Sequence, residues 1–355
     1  MENNISRNAE ITLSRIVGML LIVVCHIIKY YPIIPGYTIL GELFSCGVPL
    51  FLFLSGYLYG GKTVKKFWPW YAGRATKVAV PAILMAFVTI IALLIAGETV
   101  SIPSIIAYLT DLEGLLFLNW DFFNQFFSEI PSLGALWFTT VIMLCYLFVP
   151  LMQKITSKVR NYKLFAILLI IIGFVVSVVT MDYFDVSYFW VFCVGYCLGK
   201  VRVLDQVNSK WFALFTVLML TAAIGSLVLH KFYDNTLLYL RYAFISRCVI
   251  GIWIAVFFAY INHLKPTELS KFASKKIVKI IDSYSYYIYL THGVFTGGLF
   301  CIYSYLSWQF ATVPFLVGTV VLSCGLKFLS DIITKRRENI LCRASGKCCF
   351  LCFWS

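Results

Sequence analysis

Charge is what this chain has least of. Asp, Glu, Lys and Arg make up only 13% of its 355 residues, too few for a soluble domain of that length. Histidine occurs four times, which leaves a short roster for acid–base work near neutral pH. No Walker-type glycine loop follows a strand pattern, so ATP use is not indicated, and there is no HExxH. The one CxxC, Cys349 and Cys352, has no second CxxC or His pair to complete four ligands, so no metal site is expected. Repeats at solenoid spacing are missing. So is a matched pair of Gly/Pro-broken helices, the mark of many transporters. The net charge of +13 does not point to nucleic acid, because the basic residues fall in short clusters between apolar runs, where they report topology.

What is present is hydrophobic sequence, 61% of the chain, with a mean hydropathy of +0.87. Apolar runs long enough to cross a bilayer recur at 11–31, 39–60, 78–97, 134–153, 163–181, 186–202, 211–231, 238–262, 280–300 and 312–332. The expected fold class is all-α: a polytopic transmembrane bundle of about ten helices spanning 1–333, with a short basic, Cys-rich tail at 334–355. The first run lacks a small-residue cleavage site and is expected to stay in the lipid bilayer. With the N-terminus in the cytoplasm, every Lys and Arg except Lys29, Lys231, Arg241 and Arg247 falls on the cytoplasmic side, so both termini are expected there. The external segments are the reverse. Residues 98–133 carry Glu98, Asp111, Glu113, Asp121 and Glu129 with no Lys or Arg, and 181–189 carry only Asp182 and Asp185. The aromatic stretch LLFLNWDFFNQFF in the first of these reads as an interfacial piece, either an aromatic belt or a surface for stacking sugar rings. The tail cysteines Cys342, Cys348, Cys349 and Cys352 read as acylation sites or as residues without a function.

Within the first run, Arg15 and His26 stand eleven residues apart, just over three helical turns. That puts both on nearly one face, roughly 16 Å apart along the axis. Ionisable groups in a membrane are costly and face a bundle interior or a wet cavity. Each has a plain reading, a snorkelling arginine and a packed neutral imidazole. Together they suggest a guanidinium that holds a polar part of an elongated donor and an imidazole that acts at its far end. Elsewhere, GVPLFLFLSGYL reads as a close-packed helix in which Gly47 and Gly56 allow approach and Ser55 bonds a carbonyl or touches substrate. Glu42 is expected to pair with His26 or to remain an interfacial carboxylate. His292 falls at the depth of His26, for a structural bond or for acceptor binding. Arg241 and Arg247 lie where positive charge is scarce, Arg247 the deeper of the two, and both suit an anionic acceptor. His230 and His263, at helix ends, read as interfacial.

These segments, taken in order, resemble the acyltransferase family 3 integral membrane acyltransferases. The resemblance rests on Arg15-x10-His26, on GVPLFLFLSGYLYG at 47–60, on YAGRATKVAVP ahead of the third run, on ALWFTTVIMLCYLFVPLM at 135–152 and on SYSYYIYLTHG at 283–293. It implies acetyl-CoA or another acyl-CoA as donor and transfer of an acetyl or similar group to a hydroxyl of a cell-surface polysaccharide or lipid-linked glycan. It also implies a bacterial cytoplasmic membrane setting and essential roles for Arg15 and His26. Arg15, Arg74 and Lys77 are then expected to hold the donor, and Glu42, Ser55, Trp137, Arg247 and His292 to line the acceptor site. The family places two arginines three apart where this chain has Arg74 and Lys77, and Lys lacks the bidentate fork. His26 is left as either general base or transient acyl carrier. The competing expectation is a transporter in which His26, His292, Glu42 and Arg247 line a polar path.

Overall fold

The computed structural model describes residues 9–30, 37–118, 125–180, 187–233 and 236–345, and every regular element among them is a helix. Residues 119–124 of the aromatic stretch, Asp182, Asp185 and the tail cysteines Cys348, Cys349 and Cys352 lie outside the described residues. In chain order the helices are α1 (Ala9–Tyr30), α2 (Tyr37–Phe44), α3 (Gly47–Gly60), α4 (Phe67–Lys77), α5 (Ala79–Ile95), α6 (Ile102–Leu109), α7 (Trp137–Leu147) and α8 (Val149–Thr156). They continue as α9 (Tyr162–Thr180), α10 (Ser187–Lys200), α11 (Ser209–Tyr233), α12 (Leu237–Leu264), α13 (Pro266–Ser274), α14 (Lys276–His292) and α15 (Trp308–Ser345).

Seven stretches among the described residues are long and apolar enough to cross a membrane: Ala9–Lys29, Leu40–Gly60, Phe67–Ile95, Trp137–Thr156, Ser209–Tyr233, Tyr239–Leu264 and Trp308–Lys335. The other three runs expected to span form α9, α10 and α14, of 19, 14 and 17 residues. Of these, α14 carries Asp282 and a run of tyrosines, which lower its hydropathy.

Proline divides two of the long stretches. Pro81 has no N–H to give the Lys77 carbonyl and its ring crowds that turn, so the helix breaks at Val78, between α4 and α5. The Val78 carbonyl is claimed by the Tyr286 hydroxyl at 2.7 Å, which ties α14 to the break. Pro150 acts alike at Phe148, between α7 and α8.

The tightest seam joins α3 to α10. A Cβ built on Gly56 would lie 2.1 Å from the Phe192 carbonyl oxygen, and one on Gly60 would lie 2.0 Å from that of Tyr196. The relation is reciprocal, since Gly195 and Gly199 meet the Phe53 and Tyr57 carbonyls at 2.3 and 2.1 Å. Two Gly-x3-Gly ridges therefore interlock backbone to backbone. Between helices in lipid, such close packing takes the place of a hydrophobic drive. The outer surface is the opposite of a soluble protein's. Val217, Ile224 and Val228 on α11, Ile171 and Val175 on α9, and Val317 and Val321 on α15 are all exposed, forming apolar faces that a bilayer covers.

Candidate active site

Helices α1 and α14 lie side by side in parallel and are joined by two polar rungs. At one end Arg15 donates through Nη2 to both carboxylate oxygens of Asp282, each at 2.8 Å. At the other end His26 Nδ1 lies 2.7 Å from His292 Nε2. The rungs are eleven residues apart on α1 and ten on α14, roughly 16 and 15 Å of rise, so both fall into register together.

The bonding around His292 decides the tautomers. Its Nδ1 sits 2.5 Å from the Tyr289 carbonyl, which can only accept, so Nδ1 carries the proton. In the neutral ring Nε2 is then the acceptor, and the short contact with His26 requires His26 Nδ1 to donate. The His26 Nε2 lone pair is thereby left for chemistry. His292 is fully buried, while His26 is half-buried. Tyr289, whose ring centroid is 5.7 Å from that of His292, donates to the Ala135 carbonyl at 2.5 Å and packs edge-on against Phe138. The start of α7 is thus clamped against the His292 end of α14.

Glu42 does not pair with His26. Its two carboxylate oxygens take Lys29 Nζ at 2.7 Å and Arg247 Nη1 at 3.0 Å, because two cations in reach outcompete a neutral imidazole. Arg247 also lies over the Phe244 ring at 5.8 Å. Trp137 begins α7 with its ring 5.0 Å from that of Tyr188, and packs on Phe138, which in turn meets Tyr289.

At the Arg15 end, Arg74 lies over the Tyr59 ring at 5.7 Å, in a corner where Tyr59, Trp70 and Tyr146 meet edge to face. Ser55 faces the Tyr146 hydroxyl in the same corner. Lys77 is exposed and is not gathered in with Arg74. The Nε atoms of Arg15 and Arg74 are buried without a hydrogen-bond partner. Such orphaned donors fit an anionic or carbonyl-bearing ligand.

Asp282 and Tyr289 escaped the sequence reading, although an acid ten residues before His292 mirrors the Arg15–His26 spacing and could have been matched to it. Two residues of the acidic segment 98–133 are buried within the fold. Asp111 and Glu113 are 8% and 1% exposed, beside the first turn of α7. The Thr139 hydroxyl is bonded to the Asp111 carboxylate, the Thr140 hydroxyl donates to the Asp111 carbonyl at 2.8 Å, and the Gly114 N–H donates to Thr140 at 3.0 Å. Burial pushes the Asp111 carboxyl up to about 7. Burial and the neighbouring Asp111 push Glu113 up to about 9.

A family model described as an acyltransferase domain matches residues 8–329, nearly the whole chain. The protein belongs to acyltransferase family 3. No curated protein and no solved structure matches it. The matched region takes in both rungs, the glycine seam and the Arg74 corner, so the protein is a membrane acyltransferase whose helical bundle carries all of these features.

Proposed function

We propose that this acyltransferase moves an acyl group, most simply acetyl, from acyl-CoA to a hydroxyl of a cell-surface polysaccharide or lipid-linked glycan. The observation that carries the reading is the pair of rungs on α1 and α14: an arginine with a free, buried donor at one end and an imidazole with a directed lone pair at the other. The distance between them suits a donor with a phosphorylated head and a long thin arm. Ten crossings with both termini in the cytoplasm, as the basic loops indicate, put the Arg15 end on the side where acyl-CoA is found. The acceptor then approaches from outside, toward His26.

When bound, acyl-CoA supplies an activated thioester. Arg15, steadied by Asp282, and Arg74, steadied over Tyr59, hold the negative head. His26 Nε2 accepts the proton of the acceptor hydroxyl as its oxygen bonds to the acyl carbon. The same proton is then available to the departing thiolate, so charge balances over the transfer. His292 holds His26 in the tautomer that leaves Nε2 free, and the apolar packing around it excludes water. A transporter built on the same residues is the weaker reading, since the matching family is one of acyltransferases.

The test is release of free CoA from acetyl-CoA by the protein in lipid with a glycan acceptor, comparing wild type with His26→Ala, Arg15→Ala and Asp282→Asn. Release should collapse in His26→Ala, by about 10²–10⁴-fold. In Arg15→Ala and, more mildly, in Asp282→Asn, KM for the donor should rise. Equal release by wild type and His26→Ala would end the assignment.

A further inference from the structure

A cavity opens on the His26 side of the bundle, at the end away from Arg15. It has a volume of about 290 Å³ and lies where the end of α5, the start of α6 and two short 3-10 turns, Pro131–Leu133 and Gly298–Phe300, come together. Its polar lining is made of hydroxyls and carboxylates: Ser101, Ser128, Ser132, Thr99, Glu98 and Glu129. Among the described residues no Lys, Arg or His lines it. The segment 98–133 that supplies most of the wall holds no basic residue at all.

The cavity is mechanically joined to the candidate active site. Gly293 directly follows His292 and packs on Ala135, whose carbonyl is held by Tyr289. The Ser132 hydroxyl donates to the Gly297 carbonyl at 2.9 Å. Gly298, in the left-handed region at φ +66°, turns the chain so closely past Ser132 that a Cβ would lie 2.4 Å from its Oγ. Gly298 of the cavity wall thus follows His292 by six positions, and neither His26 nor His292 lines the cavity. That is a neighbouring subsite rather than the place of reaction.

The chemistry of the lining narrows what fits. Hydroxyls and carboxylates in a small open cleft suit a polyhydroxylated ring. Two carboxylates with no cation in the lining repel an acidic sugar and favour a positively charged substituent. The cations Lys29 and Arg247, which share the Glu42 carboxylate, line no part of this cavity.

We infer that this cavity is an acceptor subsite that holds a sugar unit next to the one being acylated, and that it selects amino-bearing over neutral over acidic sugars. The inference rests on the acyl-transfer reading for the word acceptor, but its binding test does not. Equilibrium dialysis would compare three labelled tetrasaccharides, of glucosamine, N-acetylglucosamine and galacturonic acid. The protein would be the full-length chain in lipid carrying His26→Ala, with and without Glu98→Gln and Glu129→Gln.

An ion pair at an exposed carboxylate is worth about 0.2–1 kcal/mol, and two such carboxylates attracting glucosamine and repelling galacturonate give a preference of about four- to 100-fold, weakening with salt. The two isosteric substitutions remove both charges and keep the shape of two exposed side chains, so they should bring the three ligands to within about threefold of one another. Equal binding of the three, a preference untouched by the substitutions, or no binding of any would overturn the subsite. If the predicted order appears in dialysis while wild type releases no CoA with any of the three, the subsite stands and the acyl-transfer reading falls.

Discussion

Replacing His292 tests the tautomer argument directly. In the wild type its Nε2 accepts the proton of His26 Nδ1 at 2.7 Å, and its own Nδ1 is committed to the Tyr289 carbonyl at 2.5 Å. His292→Ala removes the acceptor and leaves a buried N–H unpaired in the only tautomer that frees His26 Nε2. The cost of such an unpaired donor is about 1–3 kcal/mol, which lowers the competent population, and with it kcat, by about five- to 150-fold. Loss of His26 itself should cost about 10²–10⁴-fold, since it removes the base outright. His292→Gln keeps an oxygen able to accept from His26 and should recover most of the loss. Steady-state CoA release, with kcat and KM separated, is the assay. KM for acyl-CoA should not move, because the donor head binds at the other rung. Thermal unfolding in detergent checks that the fully buried site has not simply collapsed. Turnover of His292→Ala like wild type would show that His292 does not set the His26 tautomer. If His292→Ala instead matches His26→Ala and Gln gives no recovery, His292 takes part in the chemistry itself.

Two further outcomes follow from the packing and from the buried acids. Gly56→Leu should remove most folded protein from the membrane fraction, since even a Cβ there meets the Phe192 carbonyl at 2.1 Å, and forced overpacking costs about 1–3 kcal/mol or more; fluorescence-detected size exclusion reads this, and a normal monodisperse peak would show that the seam yields. Glu113 keeps its proton up to about pH 9 in the folded chain and releases it near 4.5 when unfolded, so its contribution is whole below 4.5 and is lost as pH rises through 9. Melting temperature should therefore fall on going from pH 6 to pH 9.5 and fall less in Glu113→Gln, whereas parallel curves for the two proteins would remove Glu113 from the account.

Spans and the first functional helix are local properties, and local properties are what a sequence displays. The Arg15–His26 spacing, the glycines of GVPLFLFLSGYL and the separation of basic from acidic loops could all be read without coordinates, because each depends on residues a few turns apart. The partners could not. Asp282 lies far along the chain from Arg15, and a lone aspartate among tyrosines looks like an interruption of α14 rather than half of an ion pair. For Glu42 the sequence leaves two readings, a partner of His26 or an interfacial carboxylate, because hydropathy gives its depth but not the face it takes; Lys29, one turn beyond His26, is the nearer claimant. The burial of Asp111 and Glu113 is not legible in the sequence, because acids between apolar runs usually face water. Here the chain turns back, and the two carboxyls are sealed against α7.

The two rungs also explain why so apolar a bundle tolerates charge at all. Lipid-like side chains pack almost equally well at many offsets, so apolar contact alone leaves two parallel helices free to slide by a turn. Polar pairs do not share that indifference. A slip of one turn, about 5.4 Å, would part Arg15 from Asp282 and His26 from His292 at once, leaving buried polar groups unsatisfied at both ends. Since the rungs have nearly the same separation on both helices, one offset satisfies both and neighbouring offsets satisfy neither. The alignment of α1 with α14 is therefore specified by the same four side chains proposed to bind the donor and direct the base. A substitution at either rung should then be felt at the other, because the register that aims His26 is shared with the one that steadies Arg15.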